Sequence, residues 1–368
     1  MCTQWGIGGP MNASARHRSI RHRSIQRSIA VLILAIASVT LSAGSATARE
    51  RTDGAAIDQP LIVGAVQFEV AEDIVTDRER FERTIHAAVG RAAELGSDLV
   101  VFPEYQNVFA ALTDRDRFVS ALSELDLSGE QIEQSIGDAA GSRRSAVAQL
   151  FDSLRAHTEL ESVHELFASS SEEVSHWMDR AYGLAAAEHA VTVVAGTYFA
   201  LDDGPDGDPQ LMNRAVVYGP DGERLHEQDK VFLTAFEREV VELSAGEPGD
   251  VQGFEVGEWS VGLTICRDTY FPVWDEVHDG RDLWIDLRGE GTEYDASVRE
   301  RLRDAVPERL IESAVPYGLT VFLTGEFHGL FWEGRSNAVA AIDDSVELLT
   351  EVESASEHEL LLVELDPP

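Results

Sequence analysis

Apolar positions along this chain follow two rhythms in alternation: short unbroken runs, and stretches repeating every three or four residues. The first run, Leu61-Ile-Val-Gly-Ala-Val-Gln67-Phe68, has no polar alternate positions, so it predicts a strand buried on both faces. Asp77 opens a helical pattern, with Phe81, Ile85, Ala88, Val89, Ala92 and Leu95 on one face and Gly96 as the stop. Leu99-Val-Val-Phe102 is a second buried strand, ended abruptly by Pro103-Glu104-Tyr105. Strand, helix, strand in that order predicts a βαβ unit and a parallel pair.

From Asn107 to about His189 the pattern is helical, a long insertion after the second strand. It divides into Arg115–Leu125, Gly129–His157 and Glu172–His189, with breaks at Asp126–Ser128 and Ser169–Ser171. Strands follow at Val191–Phe199 and, beyond the polar turn Asp202–Asp208, at Asn213–Tyr218. Gly219-Pro-Asp-Gly222 then signals a hairpin. Further strands are expected at Val261–Ile265, Leu283–Leu287, Leu319–Thr324, Asn337–Ile342 and Leu360–Leu365, with a helix at Ser297–Val315. About a dozen strands exceed what one open sheet usually holds, so the expectation is an α/β protein with two sheets.

The N-terminal residues belong to a different pattern. Arg16 to Arg27 is a basic stretch, Ile29–Ala37 is apolar but too short to span a bilayer, and Ala46-Thr47-Ala48 is a small-residue cleavage site. Residues 1–48 are therefore expected to be a cleaved secretory signal, 49–59 a linker, and 60–368 one domain, secreted or periplasmic. The net charge is −37, and removing residues 1–48 takes away five arginines and no acid. A surface this acidic disfavours nucleic acid and anionic membranes as partners. It also fits a salt-adapted surface.

Composition then singles out two residues. Cys266 is the sole cysteine outside the leader, where Cys2 lies, and Lys230 is the sole lysine among 29 basic residues. Cys266 stands where a β-branched run stops, at a corner turned by Asp268 and Pro272. A lone cysteine is more often a small buried hydrophobe, and a lone lysine more often a surface cation. Glu104 taken alone is an ordinary turn acid. Together the three supply acyl transfer through a thioester: a thiolate nucleophile, a carboxylate to take its proton, and a cation to meet the oxyanion.

The segments carrying them are Leu99-Val-Val-Phe-Pro-Glu104-Tyr, Asp229-Lys230-Val-Phe-Leu-Thr-Ala-Phe-Glu237 and Gly262-Leu-Thr-Ile-Cys266-Arg-Asp-Thr-Tyr-Phe-Pro272. In this order they resemble the three signature blocks of the nitrilase superfamily of carbon–nitrogen hydrolases. Gly64-Ala-Val-Gln67, Val194-Ala-Gly-Thr-Tyr198, Asn213-Arg-Ala-Val and Gly334-Arg-Ser-Asn-Ala338 match as well, so the likeness spans roughly residues 60–366. The resemblance implies a four-layer α-β-β-α sandwich of two mixed sheets. It implies Cys266 as nucleophile, Glu104 as general base and acid, and Lys230 as oxyanion stabiliser assisted by the Arg267 N–H. A second glutamate is best matched by Glu237, with Glu239 the alternative. Neither metal nor organic cofactor is implied; a homo-oligomer is.

The departures bear on substrate. Arg267 follows the nucleophile, where a smaller or aromatic residue is usual, and either receives a substrate carboxylate or points to solvent. Leu287-Arg-Gly-Glu-Gly291 replaces the usual Pro/Asn-containing loop. Tyr105, Arg267, Tyr270 and His328 are the candidate substrate contacts, with Glu326, Phe331 and Trp332 as further candidates for the pocket wall. The expected activity is hydrolysis of a small amide. A nitrilase, an N-acyltransferase, a Cys–His protease using His328, and an inactive secreted binding protein are the competing readings.

Overall fold

Strand β1 (Leu61–Val70) is buried along nearly its whole length. The computed structural model describes residues 57–112, 163–204, 207–327, 330–343 and 345–368, all within the compact unit Ala56–Pro368. The leader, the expected helices at 115–125 and 129–157, and His328 lie outside the described residues. Helix α1 (Arg78–Glu94) is capped by Asp77, whose carboxylate accepts the Arg80 N–H at 2.9 Å. Its buried stripe is Phe81, Ile85, Val89 and Ala92. Strand β2 (Leu99–Val101) returns parallel to β1, with Val63 opposite Leu99, and completes the βαβ unit.

Strand β3 (Thr192–Asp203) lies parallel to β2, and β4 (Pro209–Tyr218) and β5 (Arg224–Asp229) continue antiparallel. The Gly219–Gly222 turn joins β4 to β5, the Gly222 N–H donating to the Gly219 carbonyl. Strands β6 (Phe254–Val256), β7 (Trp259–Ile265), β8 (Leu283–Arg288) and β9 (Tyr317–Phe327) form the second half, with β7, β8 and β9 parallel. The hairpin strand β10 (Leu330–Trp332), β11 (Asn337–Ile342) and β12 (Ser345–Glu351) extend it, and β13 (Glu359–Leu365) pairs back onto β1.

The two expected sheets are halves of one folded sheet. Phe68, Glu69 and Val70 at the end of β1 pair with Leu323, Thr324 and Gly325 of β9, so the order runs β5-β4-β3-β2-β1-β9-β8-β7-β6. Val63, Val101 and Val194 of one half share a core with Leu263, Ile285 and Val321 of the other. A second core packs α1, α2 (Val163–Met178) and α3 (Leu184–His189) on the first half through Phe81, Trp177 and Ala185. A third packs α4 (Val273–Val277) on the second half through Trp274 and Trp284. Three cores in this arrangement are consistent with the nitrilase-type sandwich.

Two expected boundaries are corrected. Ser169–Ser171 does not break the chain, because all three residues lie inside α2. The Ser169 and Ser170 hydroxyls bond back to the Leu166 carbonyl, and the Ser171 hydroxyl accepts the Leu201 N–H at 2.6 Å. Their competing polar groups are thereby satisfied. Conversely, the single helix expected at 297–315 is two, α5 (Ala296–Arg301) and α6 (Val306–Ser313), with Pro307 in the first turn of the second. Proline cannot continue a preceding helix, so the chain restarts there. Among the described residues no helix is long and apolar enough to cross a membrane.

Candidate active site

Glu104, Cys266 and Gly289 follow the carboxyl ends of the parallel strands β2, β7 and β8, where open α/β sheets gather their chemistry. Lys230 follows β5 directly. The Lys230 Nζ donates to Glu104 Oε1 at 2.6 Å and to Glu237 Oε1 at 2.9 Å, and all three side chains are fully buried. Asn213 Nδ2 donates to the same two oxygens at 3.0 and 2.9 Å. The other Glu104 oxygen accepts the Gly289 N–H at 3.0 Å. Thr234 N–H and the Tyr105 hydroxyl complete the shell of Glu237, at 2.7 and 2.6 Å. Glu237, rather than the exposed Glu239, is thus the glutamate at Lys230.

Two glycines make this approach feasible. A Cβ at Gly289 would stand 2.6 Å from the Tyr105 ring, on top of the Glu104 carboxylate's neighbour. Gly196 sits at φ +72 with its Cα against the Pro103 carbonyl, where any side chain would collide just ahead of Glu104.

Cys266 opens a tight turn, Cys266–Tyr270, at a left-handed φ of 52°, and Tyr105 takes a similar φ of 63°. Non-glycine residues in this region carry about 1–3 kcal/mol of strain. Both are tied down. The Tyr105 N–H donates to Thr197 Oγ1 at 2.8 Å, and the Cys266 N–H to Asp286 Oδ1 at 3.0 Å. Asp268 accepts backbone N–H groups from Val231, Phe232 and Ile265, locking the Lys230 segment to the cysteine corner.

The electrostatics separate the two glutamates. Burial raises Glu104 to about 7, against the opposing pull of Lys230. Glu237 resists burial and is held at about 2 by Lys230, Tyr105 and Thr234. Of the two carboxylates sharing one ammonium, Glu237 is the one held ionised and Glu104 the one that exchanges a proton more readily near neutrality. Burial works against the charge on Lys230, yet Glu104 and Glu237 raise it well above the usual range, so it stays an ammonium. Burial and Glu104 push the Cys266 thiol well up, while Lys230 and Arg288 pull it back. Glu104 and Cys266 act on one another electrostatically, each bearing on how readily the other gives up its proton. We predict that Tyr105→Phe weakens the hold on Glu237. A depressed carboxylate stabilises the fold above its unfolded value of 4.5, and that stability is lost as pH falls toward 2. The variant should lose part of it, about 1.5–3 kcal/mol, with the deficit largest at neutral pH in urea titrations.

The sequence-derived substrate contacts divide. Tyr105 lies at the centre, its ring 5.5 Å from Lys230 Nζ. Tyr270 accepts from Arg288 at 3.1 Å. Arg267 is turned onto the Leu233 carbonyl at 3.3 Å and over the Phe271 ring. Trp332 packs edge-on against Phe109, while Glu326 and Phe331 are exposed. Asp286 and Arg288 are not marked by the sequence reading, and Asp268 is marked only as a turn residue. Their one visible signal was charge inside otherwise apolar or turn segments, as in Leu283-Trp-Ile-Asp-Leu287.

Among the described residues, thiol, carboxylates and a single ammonium meet at one end of a folded α/β sheet, the constellation expected of a thiol-dependent hydrolase. The chain belongs to the carbon–nitrogen hydrolase family, whose model matches residues 62–274. Solved structures of the amidase from Nesterenkonia sp. AN1 share its fold. A double mutant in complex with acrylamide has a TM-score of 0.56 at 17% identity, covering 83% of this chain and 91% of that one. A mutant in complex with butyramide gives 0.56 at 17%, covering 84% and 92%. A third, with covalent addition of the acetamide moiety of fluoroacetamide at its active-site cysteine, gives 0.56 at 18%, covering 85% and 93%. No curated protein matches the sequence.

Proposed function

We propose that this chain is an exported amidase that hydrolyses a small amide through a Cys266 thioester. The observation that carries the reading is Lys230 shared between a carboxylate kept ionised and one poised near neutrality that acts electrostatically on the Cys266 thiol. Glu104 takes the thiol proton as sulfur attacks the amide carbon. The oxyanion is met by Lys230 and by the Arg267 N–H, which sits in the first turn after Cys266 and lacks an intrahelical acceptor. Two of the three ammonium donors are committed to Glu104 and Glu237, leaving the third for that oxygen. Collapse expels the amine, which leaves with the proton held by Glu104. Water, activated by the same carboxylate, then releases the acid and restores the thiol.

The leader pattern supports export, and the family likeness supports a homo-oligomer and a domain beginning near residue 60. Ammonia release from a panel of short aliphatic amides and nitriles tests the reading. Acrylamide and butyramide, found bound in the solved amidases, head the panel. Turnover of amides with none for Cys266→Ala supports it; turnover of nitriles alone, or of nothing, contradicts it.

The pH profile follows from the signs. Glu104 must be ionised to take the proton, so kcat/KM should rise with pH and level off above about 7. A limb centred near 4.5 would contradict a buried base.

A further inference from the structure

The end of β8 places a second buried cation at Cys266. Arg288 is fully buried, as is Asp286, and its Nε donates to Asp286 Oδ2 at 2.6 Å. The remaining Asp286 oxygen accepts the Cys266 N–H at 3.0 Å, and Arg288 Nη2 donates to the Cys266 carbonyl at 3.2 Å. One ion pair therefore grips the nucleophile's residue at both its backbone groups, at the very position where φ is left-handed. Tyr270 closes the arrangement, its hydroxyl accepting from Arg288 Nη1 with its ring 5.0 Å from the guanidinium.

We propose that Asp286 and Arg288 are positioning residues that clamp Cys266 in its strained conformation and set its sulfur toward Glu104 and Lys230. The inference deepens the amidase reading and rests on it for its kinetic arm. The pair engages the two peptide units that flank the Cys266 Cα, one through its N–H and the other through its C=O. A buried pair is also a poor source of stability, since apolar residues of equal volume often serve as well. The planar guanidinium holds its donors to the carboxylate, the carbonyl and the Tyr270 hydroxyl in a fixed fork, a geometry that a lysine ammonium does not reproduce. The charges acting on the thiol are Glu104, Lys230, Arg288 and Glu290, the last paired to Arg301 at 2.9 Å. Arg288 lowers the thiol's proton affinity against the burial and Glu104 effects that raise it.

Charge and geometry separate experimentally. Iodoacetamide alkylation of the sole mature thiol, read by intact mass against pH, needs no substrate. Arg288→Met should slow alkylation at pH 7.5 about tenfold, one unit of thiol acidity. Arg288→Lys should alkylate near the wild-type rate yet lose about tenfold or more in kcat with KM unchanged, because the sulfur is misplaced rather than masked. Wild-type alkylation in Arg288→Met, or wild-type kcat in Arg288→Lys, overturns the clamp. Should Arg288→Met fail to fold, Asp286→Asn replaces it, and a wild-type alkylation profile there overturns the clamp equally. If the wild type turns over no amide, the amidase reading fails, while the alkylation arm still decides whether Arg288 acts on the thiol.

Discussion

Glu104→Gln should reduce amide turnover by roughly 10²–10⁴-fold, the range general acid–base catalysis supplies. The loss should fall on kcat, because in the proposed mechanism the carboxylate acts in both halves of the reaction. The amide also fits the site badly. Glu104 accepts from Lys230 and Asn213 on one oxygen and from Gly289 on the other. A glutamine must therefore turn its NH2 toward a donor, at about 1–3 kcal/mol. Stability should change its pH dependence as well. With its folded value raised to about 7, Glu104 contributes most below 4.5, and that contribution drains away as pH rises through 7. The glutamine variant should lack this decline. Urea unfolding across pH 4 to 8, with single-turnover kinetics on the same samples, measures both effects.

Lys230→Ala should cost both activity and fold. Removing an oxyanion donor typically lowers kcat by roughly 10²–10³-fold. The variant also leaves Glu104 and Glu237 buried together without their cation, and breaking such a pair costs about 3–5 kcal/mol. The sign reverses at Glu237. In the wild type it stabilises above 4.5, whereas without Lys230 its affinity for protons rises and ionisation becomes a cost. Stability of the variant should therefore increase on acidification from neutral pH, opposite to the Glu237 contribution in the wild type. Adding Glu237→Gln to Lys230→Ala should recover much of the stability and none of the activity. Recovery of activity would contradict the role given to Lys230.

Much of this was readable because scarcity and pattern coincided. The depletion of lysine and cysteine made Lys230 and Cys266 conspicuous, and unbroken apolar runs marked β1, β2, β7 and β8, which carry or adjoin the site. The short strands β6 and β10 and the polar β5, Arg224–Asp229, were hidden, since pairing with a neighbour rather than apolar pattern makes them strands. Joining the halves through Phe68–Val70 and Leu323–Gly325 is a tertiary event without local signature. The same holds for Asp268 and Asp286, whose carboxylates serve backbone N–H groups from distant or folded-back segments. For Arg267 the sequence left substrate contact and solvent open, because neither the Leu233 carbonyl nor the Phe271 ring that engages its side chain is legible as its partner.

The central claim is that Cys266 becomes acylated, with Glu104 and Lys230 making it possible. Acid quenching of the purified protein during butyramide turnover, followed by intact mass and peptide mapping, tests it directly. The expected result is a butyryl adduct confined to the Cys266 peptide and missing from Cys266→Ala. Amide hydrolysis that persists in Cys266→Ala, or an acyl group mapped to another residue, would contradict it.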